Sequence, residues 1–258
     1  MINFNFDLVL TNKPCFRMLF GKEIIHLSDV DSTNNFAAKL FSDKLCQNGS
    51  VIMSDCQTNG KGQRGTIWQS ENGKNLLCTF VYSPDNLSVE YQTQINWATS
   101  LAVLKTLAKF GLTAKIKWPN DLLVNETKIC GILIENQVSG NFLSTSFIGI
   151  GLNINQQNFF DFPATSIRNE TGNTFLIREI LDGLIKEMNH YFLLVNSTNS
   201  ELKKEYLSSL YRFKEKSFFE AENEVFEGAI IDVSSAGLLV IEKNGKCLEF
   251  GLKTIKYC

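Results

Sequence analysis

Apolar and polar positions along the chain switch between two periods, and each switch marks an element. IIHLSDVDSTNNFAAKLF, which starts at Ile24, reads as a short strand followed by a helix. Its STNNFAAKLF portion places Phe36, Leu40 and Phe41 at helical spacing, with Ser32 or Thr33 as a hydroxyl N-cap. Residues 50–57 and 75–82 read as buried strands on either side of a glycine-punctuated loop. Trp97, Leu101, Leu104 and Ala108 recur every three or four positions, which predicts a core-facing helix ending near Gly111. Strands are predicted at 114–118, 122–124, 129–135 and 142–152, with NETK and SGN as the turns of antiparallel pairs. Residues 174–194 and 202–210 have the pattern of amphipathic helices. After Tyr211 the texture becomes short alternating strands broken by AENE, SSAG and KNGK, which predicts a small β-barrel. The expected architecture is α/β (α+β), divided into residues 1–211 and 212–258.

Composition narrows the class. Hydrophobic residues make up 44% of the chain and charged residues 20%, enough apolar material for a core and too much for wholesale disorder. With 25 basic against 27 acidic residues, no global field draws the chain to nucleic acid or an anionic membrane, so any anion has to be met locally. The seven cysteines (Cys15, Cys46, Cys56, Cys78, Cys130, Cys247, Cys258) are scattered and include no C-x-x-C pair, as expected of reduced structural thiols. The N-terminus lacks the pattern of a secretory signal and no apolar run reaches bilayer-spanning length, so a cytoplasmic location is expected. His26 and His190 stand apart from cysteine or carboxylate clusters, and no directly bound metal is expected.

Three segments carry candidate chemistry. In 57–65, QTNGKGQRG, the glycines Gly60, Gly62 and Gly65 allow backbone N–H groups to converge on an anion, and Lys61 and Arg64 add charge. The loop lacks the G-K-[ST] ending of a Walker motif, and a strand rather than a helix follows it. Taken alone it also reads as a solvated loop with incidental cations. In KWPNDLL, at 117–123, Pro119 breaks the strand and presents Asn120 and Asp121 in a turn, where they either orient a nucleotide and its magnesium or satisfy local backbone. Lys128 opens the next apolar strand as a point charge suited to an anion, and Gly131 within it marks a close approach of ligand or backbone. GIGLNIN, at 149–155, leaves two side-chain-free positions on one strand face, a flat slot for an apolar ligand or for tight packing.

Taken in order, STNN, QTNGKGQRGTIW, KWPNDLL, KICGILIE and GIGLNIN resemble the biotin protein ligases from about residue 23 to the C-terminus. The resemblance implies a mixed-sheet biotin/lipoate ligase-like catalytic domain and an SH3-like C-terminal barrel. It implies a type without the N-terminal DNA-binding domain that some members carry, and with it no repressor role. The implied reaction forms biotinyl-AMP from biotin and ATP with Mg2+, releases pyrophosphate, and transfers biotin to a lysine of a biotin carboxyl carrier protein; a homodimer is compatible with it. By similarity, Ser32, Thr33, Asn34 and Gln57 serve the ureido ring, with Lys61, Gly62, Gln63, Lys128, Gly131 and Gly149 completing the biotin site. Gly60, Lys61, Gly62, Arg64, Trp68, Asn120, Asp121, Lys128 and Asn153 fall to ATP. Lys128, assisted by Lys61 and Arg64, neutralises charge where carboxylate meets phosphate, and Asp121 is the base for the incoming lysine.

Family members often carry arginine where this chain has Lys61 and Gln63, so the loop is expected to grip the mixed anhydride less firmly. Two other readings stand beside this one. A lipoate or octanoate ligase or transferase shares the acyl-lysine end point, and a non-catalytic biotin-binding module would have no use for Lys128 and the Asn120-Asp121 pair.

Overall fold

The computed structural model describes residues 18–160, 163–195 and 200–258; the N-terminal strand-length segment lies outside them. The elements follow the periodicity closely. Strand β1 (Ile24–Val30) leads into helix α1 (Thr33–Ser42), then β2 (Val51–Gln57) and β3 (Leu76–Tyr82). Helix α2 (Thr93–Lys109) precedes β4 (Lys115–Lys117), β5 (Asp121–Val124), β6 (Thr127–Ser139) and β7 (Phe142–Leu152). The tight turn between β5 and β6 uses Asn125 and Glu126 at positive φ, the conformation that a two-residue hairpin requires. Three helices follow: α3 (Ile167–Thr171), α4 (Ile177–Phe192) and α5 (Ser200–Ser208). The pattern did not predict α3, whose single turn is capped by the Ser166 hydroxyl accepting from Asn169 N–H.

The first sheet has seven strands in the order β1-β2-β3-β7-β6-β5-β4, with only β1 and β2 parallel. Its two faces have different partners. Leu76, Cys78 and Phe80 of β3 and Ile148, Ile150 and Leu152 of β7 join the main core with α2 and α4. The opposite face carries Ile52, Val81 and Phe147, covered by Phe36, Ala37, Leu40 and Phe41 of α1. Helix α2 is buried on more than the predicted stripe, since α4 and α5 pack on it in addition to the sheet, while Ala108 is exposed. Edge strand β4 is covered by the chain leaving α5: Ile116 N–H donates to Ser209 O and Tyr211 N–H to Ile116 O.

The second sheet is antiparallel, β11-β10-β9-β8-β12, built from β8 (Lys216–Ala221), β9 (Glu224–Val233), β10 (Leu239–Lys243), β11 (Lys246–Phe250) and β12 (Lys256–Tyr257). The predicted turns are present, with Glu222-Asn223, Gly237 and Asn244-Gly245 at positive φ. The predicted closure is not. Strands β11 and β12 stand at opposite edges, and the two residues of β12 pair only with β8, so the sheet is open rather than a closed barrel. It docks on the first sheet through Trp118 Nε1, which donates to Gly237 O at 3.1 Å, and Thr93 Oγ1, which donates to Ser235 O at 3.1 Å. Among the described residues no helix is long and apolar enough to cross a membrane.

Candidate active site

The site lies on the α1 face of the first sheet, where side chains become small. Gly131 on β6 pairs directly with Gly151 on β7, and Leu133 with Gly149, which in turn faces Thr79 on β3. Three glycines on one face leave a hollow beside the point where α1 begins. A Cβ on Gly149 would stand 2.6 Å from Asn34 Oδ1, and one on Gly151 would stand 2.4 Å from the Trp68 indole. With these neighbours in place neither position has room for a Cβ. The Asn34 amide packs against Gly149 and the Trp68 ring against Gly131 and Gly151, and all three glycines also line the cleft.

At the start of α1 the polar groups can be counted. Ser32, Thr33 and Asn34 are 2–3% exposed. Gln57 Oε1 accepts from Thr33 N–H at 2.8 Å and from Thr33 Oγ1–H at 3.1 Å, so Gln57 turns its NH2 group to the cleft. Ser32 is the N-cap residue by position, but its hydroxyl makes no cap bond; it lines the cleft instead. Donors from Gln57 and hydroxyls from Ser32 and Thr33 suit a planar amide or urea.

The other end of the cleft is charged. Lys128 Nζ sits 2.7 Å from Asp121 Oδ1, the two side chains being 29% and 27% exposed, and 5.5 Å from the Trp68 ring centroid. Asn120 donates from Nδ2 to Ile132 O at 2.6 Å, which pins the turn after Pro119 and leaves its carbonyl oxygen to the cleft. Burial pushes the Cys130 thiol well above its ordinary range, although Lys128 pulls the other way. That thiol faces the core and stays neutral packing.

The glycine loop folds over this end as a short hairpin. Lys61 bridges Ile67, and Trp68 N–H donates to Gly60 O at 2.9 Å. A 3-10 turn (Gln63–Gly65) forms the tip, where Gly65 takes φ +83°. Lys61 Nζ reaches across to Asn35 Oδ1 at 2.6 Å, and Asn35 in turn holds Asp31 at 2.8 Å. Asn35's hydrogen bond, aided by backbone N–H groups and the Lys61 charge, holds the Asp31 carboxyl below its usual range.

Most of the residues picked out in the sequence converge on one cleft of about 340 Å³. It takes in Ser32, Thr33, Asn34 and Gln57, then Lys61, Gly62, Gln63 and Trp68 from the loop, and Asn120, Asp121, Lys128, Gly131 and Gly149 from the strands. Gly60 lies at the base of the loop hairpin. Arg64 has its backbone in the 3-10 turn, and its side chain is outside the described positions. Asn153 is not part of the lining. It is 2% exposed, donates from Nδ2 to Thr165 O at 3.0 Å, and keeps a buried Oδ1 without a partner. Sequence reading missed Lys253, which lines the cleft from the turn between β11 and β12. Nothing in the local sequence signals it, because only the docking of the two sheets brings residue 253 to a site built from residues 32–151. It also missed Thr79 and Glu135, which stand behind the cleft and hold Asn34.

Residues 27–153 match the biotin/lipoate A/B protein ligase family. The bifunctional ligase/repressor BirA of Bacillus spizizenii is 32% identical over 161 residues, 60% of this chain and 49% of that protein, so the chain spans about half of this relative's length. The biotin--[acetyl-CoA-carboxylase] ligase of Paracoccus denitrificans is 33% identical over 165 residues, 60% of this chain and 67% of that protein. The same fold occurs in the biotin protein ligase from Aquifex aeolicus in complex with biotin and ATP, with a TM-score of 0.75 at 24% identity over 92% of this chain and 100% of that one. Sequence match, relatives and fold agree, and the chain belongs to the biotin/lipoate A/B protein ligase family.

Proposed function

We propose that the chain is a biotin protein ligase, which activates biotin with ATP and passes it to a lysine of a biotin carboxyl carrier protein or domain, in the cytoplasm. The observation that carries this reading is the character of this one cleft. A urea-matching end at Ser32, Thr33 and Gln57 is joined across a glycine floor to a cationic end at Lys128 and Lys61. Biotin is a bicyclic urea at one end and a carboxylate at the other, and a buried urea needs partners of this kind because unpaired polar groups are costly to bury. The names of the relatives from Bacillus spizizenii and Paracoccus denitrificans support the same assignment.

In the first half-reaction a carboxylate oxygen of biotin attacks the α-phosphorus of ATP. The bond to the bridging oxygen breaks and pyrophosphate leaves. Two anions repel each other on approach, so the positive charge of Lys128 at that junction lowers the barrier, with Lys61 and Arg64 on the loop assisting. Asn120 and Trp68 belong to the nucleotide side, whereas Asn153 is buried behind the cleft. Asp121, the carboxylate lining the cleft, would hold the magnesium of the ATP complex, which would offset phosphate charge. In the second half-reaction the neutral amine of the acceptor lysine attacks the activated carbonyl carbon, AMP departs, and the amine proton passes to a base, a role assigned to Asp121. On this reading residues 1–211 form the catalytic domain and residues 212–258 an appendage that contributes Lys253 to the cleft.

The test is incubation with biotin, ATP, Mg2+ and a biotin carboxyl carrier domain, followed by intact mass of the carrier, with pyrophosphate release measured in parallel for biotin, lipoate and octanoate. A carrier heavier by one biotin and release specific to biotin are expected. Greater release with lipoate or octanoate would reassign the acyl group, and biotin binding with no release under any condition would leave only a binding module.

A further inference from the structure

Glu135 does not touch the cleft, yet it fixes the polarity of the groups that do. It lies on β6 opposite Phe147, on the same face as Gly131 and Leu133, and its Oε2 accepts from Asn34 Nδ2 at 2.8 Å. A carboxylate oxygen accepts, as do the Leu133 and Phe147 carbonyls at 3.3 and 3.5 Å, and Glu135 is the nearest of the three, so Asn34 turns its NH2 group toward them and its oxygen toward Thr79. Thr79, wholly buried, has one hydroxyl proton and two oxygens to give it to: Asn34 Oδ1 at 2.6 Å and Thr33 Oγ1 at 2.9 Å. With the Asn34 oxygen held in place, the shorter contact takes the proton. Thr33 Oγ1 then receives nothing from Thr79 and keeps its lone pairs for the cleft. Were Asn34 turned over, its NH2 group would donate to Thr79, Thr79 would donate to Thr33, and one of the two lone pairs of the Thr33 oxygen would be taken.

We infer that Glu135 is a positioning residue for ligand recognition: through Asn34 and Thr79 it keeps both lone pairs of Thr33 Oγ1 open to the cleft, so that an N–H of a cyclic urea meets an unengaged acceptor. The inference rests on the biotin reading above and adds to it a residue outside the ligand contacts. The relay is rigid because Asn34, Thr79 and Thr33 are each at most 3% exposed, so no water competes for these bonds.

Calorimetric titration with biotin in the absence of ATP tests the inference directly, alongside steady-state pyrophosphate release. Glu135→Leu removes the acceptor and is expected to raise Kd and KM for biotin about tenfold, the scale of one lost hydrogen bond, with KM for ATP and kcat held within about twofold. Glu135→Gln, which presents an amide oxygen to Asn34, should bind biotin almost as wild type. In a Thr79→Val background the relay is cut, and there Glu135→Leu should change Kd by less than about twofold. A merely structural role would lower kcat, raise both KM values and persist in that background. If Glu135→Leu does not fold, Glu135→Ala carries the same expectation. Unchanged biotin affinity in the Leu or Ala variant, or no rescue by Gln, overturns the relay. Wild-type protein that binds no biotin overturns the functional reading itself.

Discussion

Gly149→Ala is the sharpest test of how the site is packed. The new Cβ would meet Asn34 Oδ1 at 2.6 Å, Cγ at 3.1 Å and Nδ2 at 3.2 Å, against an ordinary contact of 3.4–4 Å. The amide must retreat by roughly half an ångström or more, and Asn34 is 3% exposed with no open space to enter. That retreat breaks the 2.6 Å bond from Thr79 and the 2.8 Å bond to Glu135. Overpacking of this kind costs about 1–3 kcal/mol and the buried hydrogen bonds about 1–3 kcal/mol more, so a loss of about 3 kcal/mol is expected. For a chain of this size that lowers Tm by roughly 6–12 °C. Gly151→Ala is the internal control, two residues along the same strand face. Its Cβ would strike the Trp68 indole at 2.4 Å, but that ring sits on the glycine loop and already leaves Nε1 without a partner, so it swings away for about 1 kcal/mol. Thermal unfolding followed by far-UV circular dichroism distinguishes the two. An Asn34→Ala/Gly149→Ala pair should melt far higher than the sum of the single losses implies, because the clash has been removed. Gly149→Ala melting within about 2 °C of wild type would falsify the placement of Asn34 against the strand.

Four further outcomes are expected. Lys128→Ala should reduce biotin-dependent pyrophosphate release by about 100- to 1,000-fold while calorimetric biotin affinity moves only a few-fold; undiminished release removes Lys128 from the chemistry. Gln63→Arg should tighten retention of the adenylate, read as less labelling of an unrelated lysine-rich protein by the variant than by wild type; equal labelling rejects the loop argument. Burial raises the thiols of Cys78 and Cys130 above their unfolded values, so their contribution to stability is intact at neutral pH and lost as pH rises. Above roughly pH 9 the unfolded chain gives up protons that the folded chain keeps, and each thiol should then cost about 1.4 kcal/mol per pH unit in urea unfolding. In the native protein at neutral pH, iodoacetamide should label exposed Cys247 and Cys258 and spare Cys78 and Cys130; early labelling of the latter pair would contradict their burial.

What could be read from the sequence follows from which forces are local. Strand and turn positions were legible because Asn125-Glu126 and Asn244-Gly245 announce their conformation in the residues themselves. The order of motifs along the chain located the cleft residues, since Ser32, Gln57, Lys128 and Gly131 each sit at an element end or on a strand whose pattern is plain. Roles were harder to read than places. Gly149 announces a close approach but not what approaches, and the answer is an amide of the protein's own α1. Asn34, assigned to ligand by its neighbours in STNN, has its donors and acceptor taken up by Glu135, Leu133 and Thr79, partners 45–101 residues away. Closure of the C-terminal sheet was unreadable for a similar reason. It depends on whether the last strand is long enough to span two edges, and β12 with two residues is not. Periodicity records which face of an element is wet, whereas the partner of a buried polar group is fixed only when the faces meet. The clearest case is Lys253, which lies 100 residues or more beyond the glycines of the cleft it lines and has no motif around it to say so.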